Sequence, residues 1–171
     1  IIPGTVEYIA DETFIDCRNL VFVEISEGVK SIGSYAFANS SLTSIIIPQS
    51  VTHISTGAFT NSNLIDLPVA QRVTKIEAHV YSGCDNLTYV YIPEGITEIG
   101  EYAFAYCHSL TSLYIPESVT AIGERAFFKS PSVEVAWNMP LTISKNVLGL
   151  DVDLRQSTLT AVSDTPPTLP P

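Results

Sequence analysis

The stretch Leu110–Phe127, LTSLYIPESVTAIGERAF, is one period of a pattern that recurs through most of the chain. Its apolar pair Val119/Ile122 has five counterparts: Val6/Ile9, Val29/Ile32, Val51/Ile54, Val73/Ile76 and Ile96/Ile99. Five residues after each pair stands an aromatic ring: Phe14, Phe37, Phe59, Tyr81, Phe104 and Phe127. Three further on is a small residue, Cys17, Ser40, Ser62, Cys84, Cys107 or Ser130, and then an aliphatic one, from Leu20 to Val133. Six copies with steps of 23, 22, 22, 23 and 23 residues mark a stacked repeat architecture. The length variation falls between the small residue and the next aliphatic, which places a loop there.

Within a period, Leu113, Tyr114 and Ile115 alternate as a strand does, and Pro116 ends the ladder because proline has no N–H to donate. The segment Val119-x-x-Ile122 then turns the chain. Ile122, Ala126, Phe127 and Ser130 are spaced as the inner face of one or two helical turns. Asp11, Ser34, Thr56, Glu101 and Glu124 suit a helix start. Gly33, Gly100 and Gly123 share a place with Ala10, Ser55 and Glu77, so that turn is expected to be tight but not left-handed. A unit of this size buries its apolar side only by stacking on its neighbours. The expectation is therefore one stacked sheet, a short helix or turn per repeat, and ladders of like residues inside. Copy four departs most, with Val80 and Tyr81 for Ala-Phe and Pro68 early in the strand before it, so a local irregularity is expected there.

The quoted stretch and its sibling IPEGITEIGEYAFAYCHSLTSLYIP resemble the BspA-type leucine-rich repeat, with its IP-x-x-V-x-x-IG-x-x-AF-x-x-C-x-x-L pattern. The resemblance covers residues 1–137 and implies a leucine-rich-repeat solenoid. Residues 138–163 read as a degenerate last repeat or C-terminal cap, and 164–171, rich in proline, as a linker. The resemblance also implies a cell-surface or secreted protein that adheres to host matrix proteins or to other cells.

Charge and motifs narrow the function. Eighteen acidic against eight basic residues give a net charge of −10, which disfavours nucleic acid and anionic membranes. No apolar run reaches the length of a membrane span. The chain carries no G-x-S-x-G, P-loop, H-E-x-x-H or G-x-G-x-x-G signature, so the reading is a non-catalytic module with no cofactor. Cys17, Cys84 and Cys107 share one repeat position with serines and read as small core residues; with Phe14, Phe37, Phe59, Tyr81, Phe104 and Phe127 they form the structural ladder. His53, His79 and His108 sit at three different offsets and do not converge as metal ligands would. Glu94 and Glu117 align in one row, a weak cation site at most against the plainer reading of a solvated turn. Asn39 and Asn86 open sequons, which decide nothing without the organism.

The outward strand positions remain. Alignment on the leading aliphatic gathers Tyr89, Tyr91, Tyr114 and Trp137 toward the C-terminal half, with Phe22 on the same face earlier. Tyrosine and tryptophan dominate binding hot spots. The candidate binding face is therefore Phe22, Tyr89, Tyr91, Tyr114 and Trp137, for a protein partner. A glycan-binding patch and a structural spacer presenting another domain stand as alternatives.

Overall fold

The computed structural model describes residues 1–130 and 134–137; the degenerate copy and linker expected at 138–171 lie outside the described residues. Each copy contributes a short strand from its V-x-x-I segment: β1 (Tyr8–Ile9), β3 (Ser31–Ile32), β5 (His53–Ile54), β6 (Lys75–Ile76), β8 (Glu98–Ile99) and β10 (Ala121–Ile122). Five copies add a second strand after the leading aliphatic: β2 (Phe22–Glu24), β4 (Ser44–Ile46), β7 (Tyr89–Tyr91), β9 (Ser112–Ile115) and β11 (Glu134–Trp137). Every pairing is parallel and joins neighbouring copies. The solenoid thus has two strand sides, a V-side and an L-side, where a single stacked sheet was expected. The V-side strands escape a periodicity reading because they are two residues long and bury one isoleucine each.

The third side corrects the expectation of a helix. No helix occurs among the described residues; each copy makes a run of turns instead. Two residues per copy, four apart, take positive φ: Glu12 and Asp16, Tyr35 and Asn39, Gly57 and Asn61, His79 and Gly83, Tyr102 and Tyr106, Arg125 and Lys129. Ten of these twelve are not glycine, in a conformation that disfavours a Cβ. The hydrogen bonds explain what holds them there. In a helix the amides of Phe14 and Asp16 would donate within their own copy. Here Glu12, Phe14 and Asp16 donate to the carbonyls of Ser34, Ala36 and Ala38 in the next copy, at 2.9, 2.7 and 2.9 Å. The same three bonds recur at every step up to Tyr102, Phe104 and Tyr106, which donate to Glu124, Ala126 and Phe128. Left-handed residues aim these amides along the stack, so the turn side is itself an inter-copy ladder.

The glycines after the V-side isoleucine are not left-handed, as the substitution by Ala10, Ser55 and Glu77 indicates. Close approach explains Gly123: a Cβ there would run into the Glu101 amide nitrogen in the copy below. The core lies between the three sides as rows of like residues. Phe14, Phe37, Phe59, Tyr81, Phe104 and Phe127 stack nearly parallel, with centroids 5.1 to 5.8 Å apart. All but Phe14, which lies in the first copy, are fully buried.

The irregularity expected near Pro68 is present. Copy three forms no L-side strand, so the L-side divides into β2–β4 and β7–β9–β11. The V-side divides at the neighbouring step, between β5 and β6. The substitution of tyrosine for phenylalanine in copy four answers this break: the buried Tyr81 hydroxyl donates to the Pro68 carbonyl at 2.8 Å.

Candidate functional site

On the L-side, alternate residues face the core and solvent. Val23, Ile45, Val90, Leu113 and Ile115 are buried, while Phe22, Ile46 and Tyr89 are exposed. The register sets Tyr91 beside Tyr114 and Tyr89 beside Ser112. The Tyr91 and Tyr114 rings stack with centroids 4.8 Å apart and 5° between planes. Partial burial first, then the neighbouring Tyr91 and Tyr114 phenols, hold the Tyr89 phenol above its ordinary pKa. Three of the five expected site residues are therefore together.

The other two are placed differently. Phe22 lies on β2, across the interruption at copy three, beside Ser44. Trp137 pairs with Ile115, and Ala136 takes the place beside Tyr114. The register of β11 is thus one residue away from the one that alignment on Val133 gives.

Two apolar residues absent from the expected set belong to this side. Ile46 and Ile65 are each 53% exposed, as large as any exposure on the L-side strands. Ile46 occupies the outward place that Tyr91 and Tyr114 fill in later copies; an aliphatic side chain there passes for core in the sequence. Ile65 follows its leading aliphatic, a place that is also outward at Val21, Thr88 and Thr111 in copies that form the strand. Val21, at 52%, and Phe22 extend the apolar surface toward the first copy.

The turn side carries a second cluster that the sequence reading did not find. His79 stacks on Tyr102 at 5.1 Å, and Arg125 donates from Nη1 to the Tyr102 hydroxyl at 2.7 Å. Phe128 meets Tyr102 and Tyr106 edge-on and lies under the Arg125 and Lys129 cations. Its members are mostly residues at the positive-φ positions, whose outward direction is invisible while the segment is taken for a helix. Charge does not make it an anion site: Glu124 lies 3.5 Å from the Arg125 Nε.

The remaining candidates resolve into structure. Cys84 and Cys107 are buried free thiols, and Cys17 is half-buried. Cys84 donates to the Phe59 carbonyl and Cys107 to the Tyr81 carbonyl, at 3.3 and 3.2 Å, while Ser130 does the same for Phe104 at 2.7 Å. In copies four to six the small position thus serves the carbonyl of the preceding copy's ring residue, which either side chain can do; Ser40 serves that of its own copy, Phe37. Burial pushes the Cys84 thiol up to about 12 and the Cys107 thiol in the same direction. Glu94 and Glu117 are exposed on turns, and no cluster of metal-ligating side chains occurs among the described residues. His108 pairs with Asp85 at 2.8 Å, and His53 is exposed on the V-side. No helix among the described residues is long and apolar enough to cross a membrane.

Comparison with known proteins agrees with this geometry. Residues 1–136 match the BspA type Leucine rich repeat region in six copies. The crystal structure of a leucine rich cell surface protein from Faecalibacterium prausnitzii A2-165 is similar over 74% of this chain, with 36% identity and a TM-score of 0.65. A leucine-rich repeat protein from Bacteroides ovatus matches over 78% of the chain, at 28% identity and a TM-score of 0.48. The chain spans 33% and 28% of the lengths of these two proteins. No curated protein matches it. The chain belongs to the BspA type leucine rich repeat family.

Proposed function

We propose that this chain is a non-catalytic binding module whose L-side captures a protein partner at a cell surface. The observation that carries the reading is the exposed apolar row on an otherwise acidic molecule: Phe22, Ile46, Ile65 and Tyr89, continued by the Tyr91–Tyr114 stack. Exposed apolar patches on soluble proteins mark interaction sites, and tyrosine supplies large contact area at small entropic cost. Surface location is inferred from the Faecalibacterium relative, which is itself a cell surface protein. Host matrix proteins and proteins of other cells are the partner class implied.

A protein fits this surface better than a glycan. A sugar ring docks on an open aromatic face, and Tyr91 and Tyr114 turn one face each toward the other. The rest of the exposed surface on this side is Phe22, Ile46 and Ile65, apolar side chains that suit a protein partner. Retention of the labelled protein on immobilised extracellular matrix, alongside a glycan array, tests the assignment. The double substitution Tyr91→Ala/Tyr114→Ala is expected to lower matrix retention more than tenfold while the melting temperature holds. Native protein retained on glycans and not on matrix would move the assignment to the glycan reading. Retention on neither, or retention untouched by the double substitution, would remove this side as the site and leave the spacer role.

A further inference from the structure

We propose that the step between copies three and four is a hinge, with its axis along the turn side. The solenoid holds its other steps by hydrogen bonds on the strand sides as well as on the turn side. On the V-side, Thr52 donates to Lys30 and Thr97 to Thr74, each across one step. On the L-side, Thr43 donates to Val21 and Thr111 to Thr88. No such bond joins Thr74 to Thr52 or Thr88 to Ile65, and no strand pairing crosses this step on either side. The turn side alone is unbroken: Gly57, Phe59 and Asn61 donate to Ala78, Val80 and Ser82 at 2.8 to 3.0 Å. The Thr60 hydroxyl adds a bond to the His79 carbonyl on that same side.

What remains across the strand sides is apolar contact and two side-chain hydrogen bonds, one of them from Asn86 Nδ2 to the Asn63 carbonyl at 3.2 Å in the exposed loop that leads into the L-side. The core runs through the step in the rows Val51–Val73 and Ile54–Ile76, all buried. Such contact is non-directional and tolerates a change of angle that a hydrogen-bonded ladder does not. The Phe59–Tyr81 pair has the widest spacing of the ring row, 5.8 Å. The other, which ties the core to the L-side segment of copy three, is the bond from the Tyr81 hydroxyl to the Pro68 carbonyl. Proline at position 68 has no N–H for a ladder, so this segment cannot close the gap by pairing. Tyr81 thus acts as a latch on a joint between two stiffer bodies, copies one to three and copies four to six.

The hinge bears on the apolar L-side, because Phe22, Ile46 and Ile65 belong to one body and Tyr89, Tyr91 and Tyr114 to the other. Opening or closing the joint changes the curvature of that surface. This consequence rests on the binding role proposed above; the hinge does not, and its test involves no partner.

The measurement is double electron–electron resonance on nitroxide pairs in a Cys17→Ser background, with Cys84 and Cys107 left buried. One pair, Lys30→Cys/Thr120→Cys, spans copies two to six on the V-side; the other, Ser34→Cys/Glu124→Cys, spans the same copies on the turn side. Each covers four layers, roughly 19 Å at the spacing of adjacent strands. The V-side distance distribution is expected to be at least twice as wide as the turn-side one, and wider again in Tyr81→Phe. Widening seen only in Tyr81→Phe also supports the hinge, as a joint held shut by its latch. Phenylalanine fills this place in the other five copies, so that variant keeps the ring row. Equal widths for the two pairs in both proteins would overturn the proposal and make the stack one rigid rod.

Discussion

Glycine at Glu12 is expected to stabilise this protein, which is the opposite of what glycine does in a helix. Glu12 holds φ at 57°, is exposed, and its side chain makes no hydrogen bond or ion pair among the described residues. Its amide donates to the Ser34 carbonyl at 2.9 Å, a bond any residue can make. A left-handed L-residue carries about 1–2 kcal/mol of strain, which glycine removes. Against that stands the larger conformational entropy glycine loses on folding, about 0.5–1 kcal/mol. The net is a gain of about 0.5–1 kcal/mol. In a helix the same substitution would cost about 0.8–1 kcal/mol. A chain of this length shifts its melting temperature by about 2–4 °C for each kcal/mol. Circular dichroism melts of Glu12→Gly and Glu12→Ala therefore separate the two geometries by sign. Glu12→Gly should rise by about 1–4 °C and Glu12→Ala, which keeps the Cβ, should hardly move. The reciprocal change is Gly57→Ala, at φ 65°, where a Cβ would run into Cε1 of Tyr35; its melt should fall. A drop of 2 °C or more in Glu12→Gly would refute the left-handed turn side.

Phe104→Ala removes a buried ring stacked at 5.3 and 5.4 Å on Tyr81 and Phe127, and should cost about 3–5 kcal/mol in a denaturant titration. Cys107→Ser should leave the fold intact, since Ser130 makes the equivalent bond; a melt lowered by many degrees would deny the exchange. In native protein at pH 8 a thiol reagent should titrate Cys17 and spare Cys84 and Cys107, all three reacting once unfolded. The Cys84 thiol sits at about 12 in the fold against an ordinary 9.0. The folded state thus binds that proton more tightly. Its contribution is fully present below pH 9 and is lost as pH rises toward 12, so stability measured by denaturant should decline across that window.

The period and the core rows were legible because packing repeats side-chain chemistry: a ring must stack on a ring and a Val on a Val. The turn side was misread for a physical reason. Ile122, Ala126, Phe127 and Ser130 sit at helical spacing, yet what turns them inward is the pair of left-handed residues Arg125 and Lys129. Gly57 and Gly83 hint at it, as do Asp16, Asn39 and Asn61, residue types that tolerate positive φ. The same rows also hold Tyr, His, Arg and Lys, whose strain is offset by inter-copy bonds that no local pattern encodes. The V-side strands were missed because two residues carry no alternation to read.

The candidate site was legible where register was simple and obscure where it slipped. Tyr91 and Tyr114 stand at equal offsets from Leu87 and Leu110, and the structure pairs them. Trp137 stands at the same offset from Val133, but β11 pairs Glu134 with Ser112, so copy six runs one residue shorter before its strand. An aliphatic residue near the expected place served as a false anchor. Pro68 illustrates the converse. It signals a strand defect, but the sequence does not say what the defect does to its neighbours. The structure links it to Tyr81, and the V-side breaks at the neighbouring step. One residue without an N–H thus loosens the joint beneath the proposed binding side. Changing Pro68 to a strand former should test this: a paired copy three would stiffen the joint, and the V-side distance distribution would narrow.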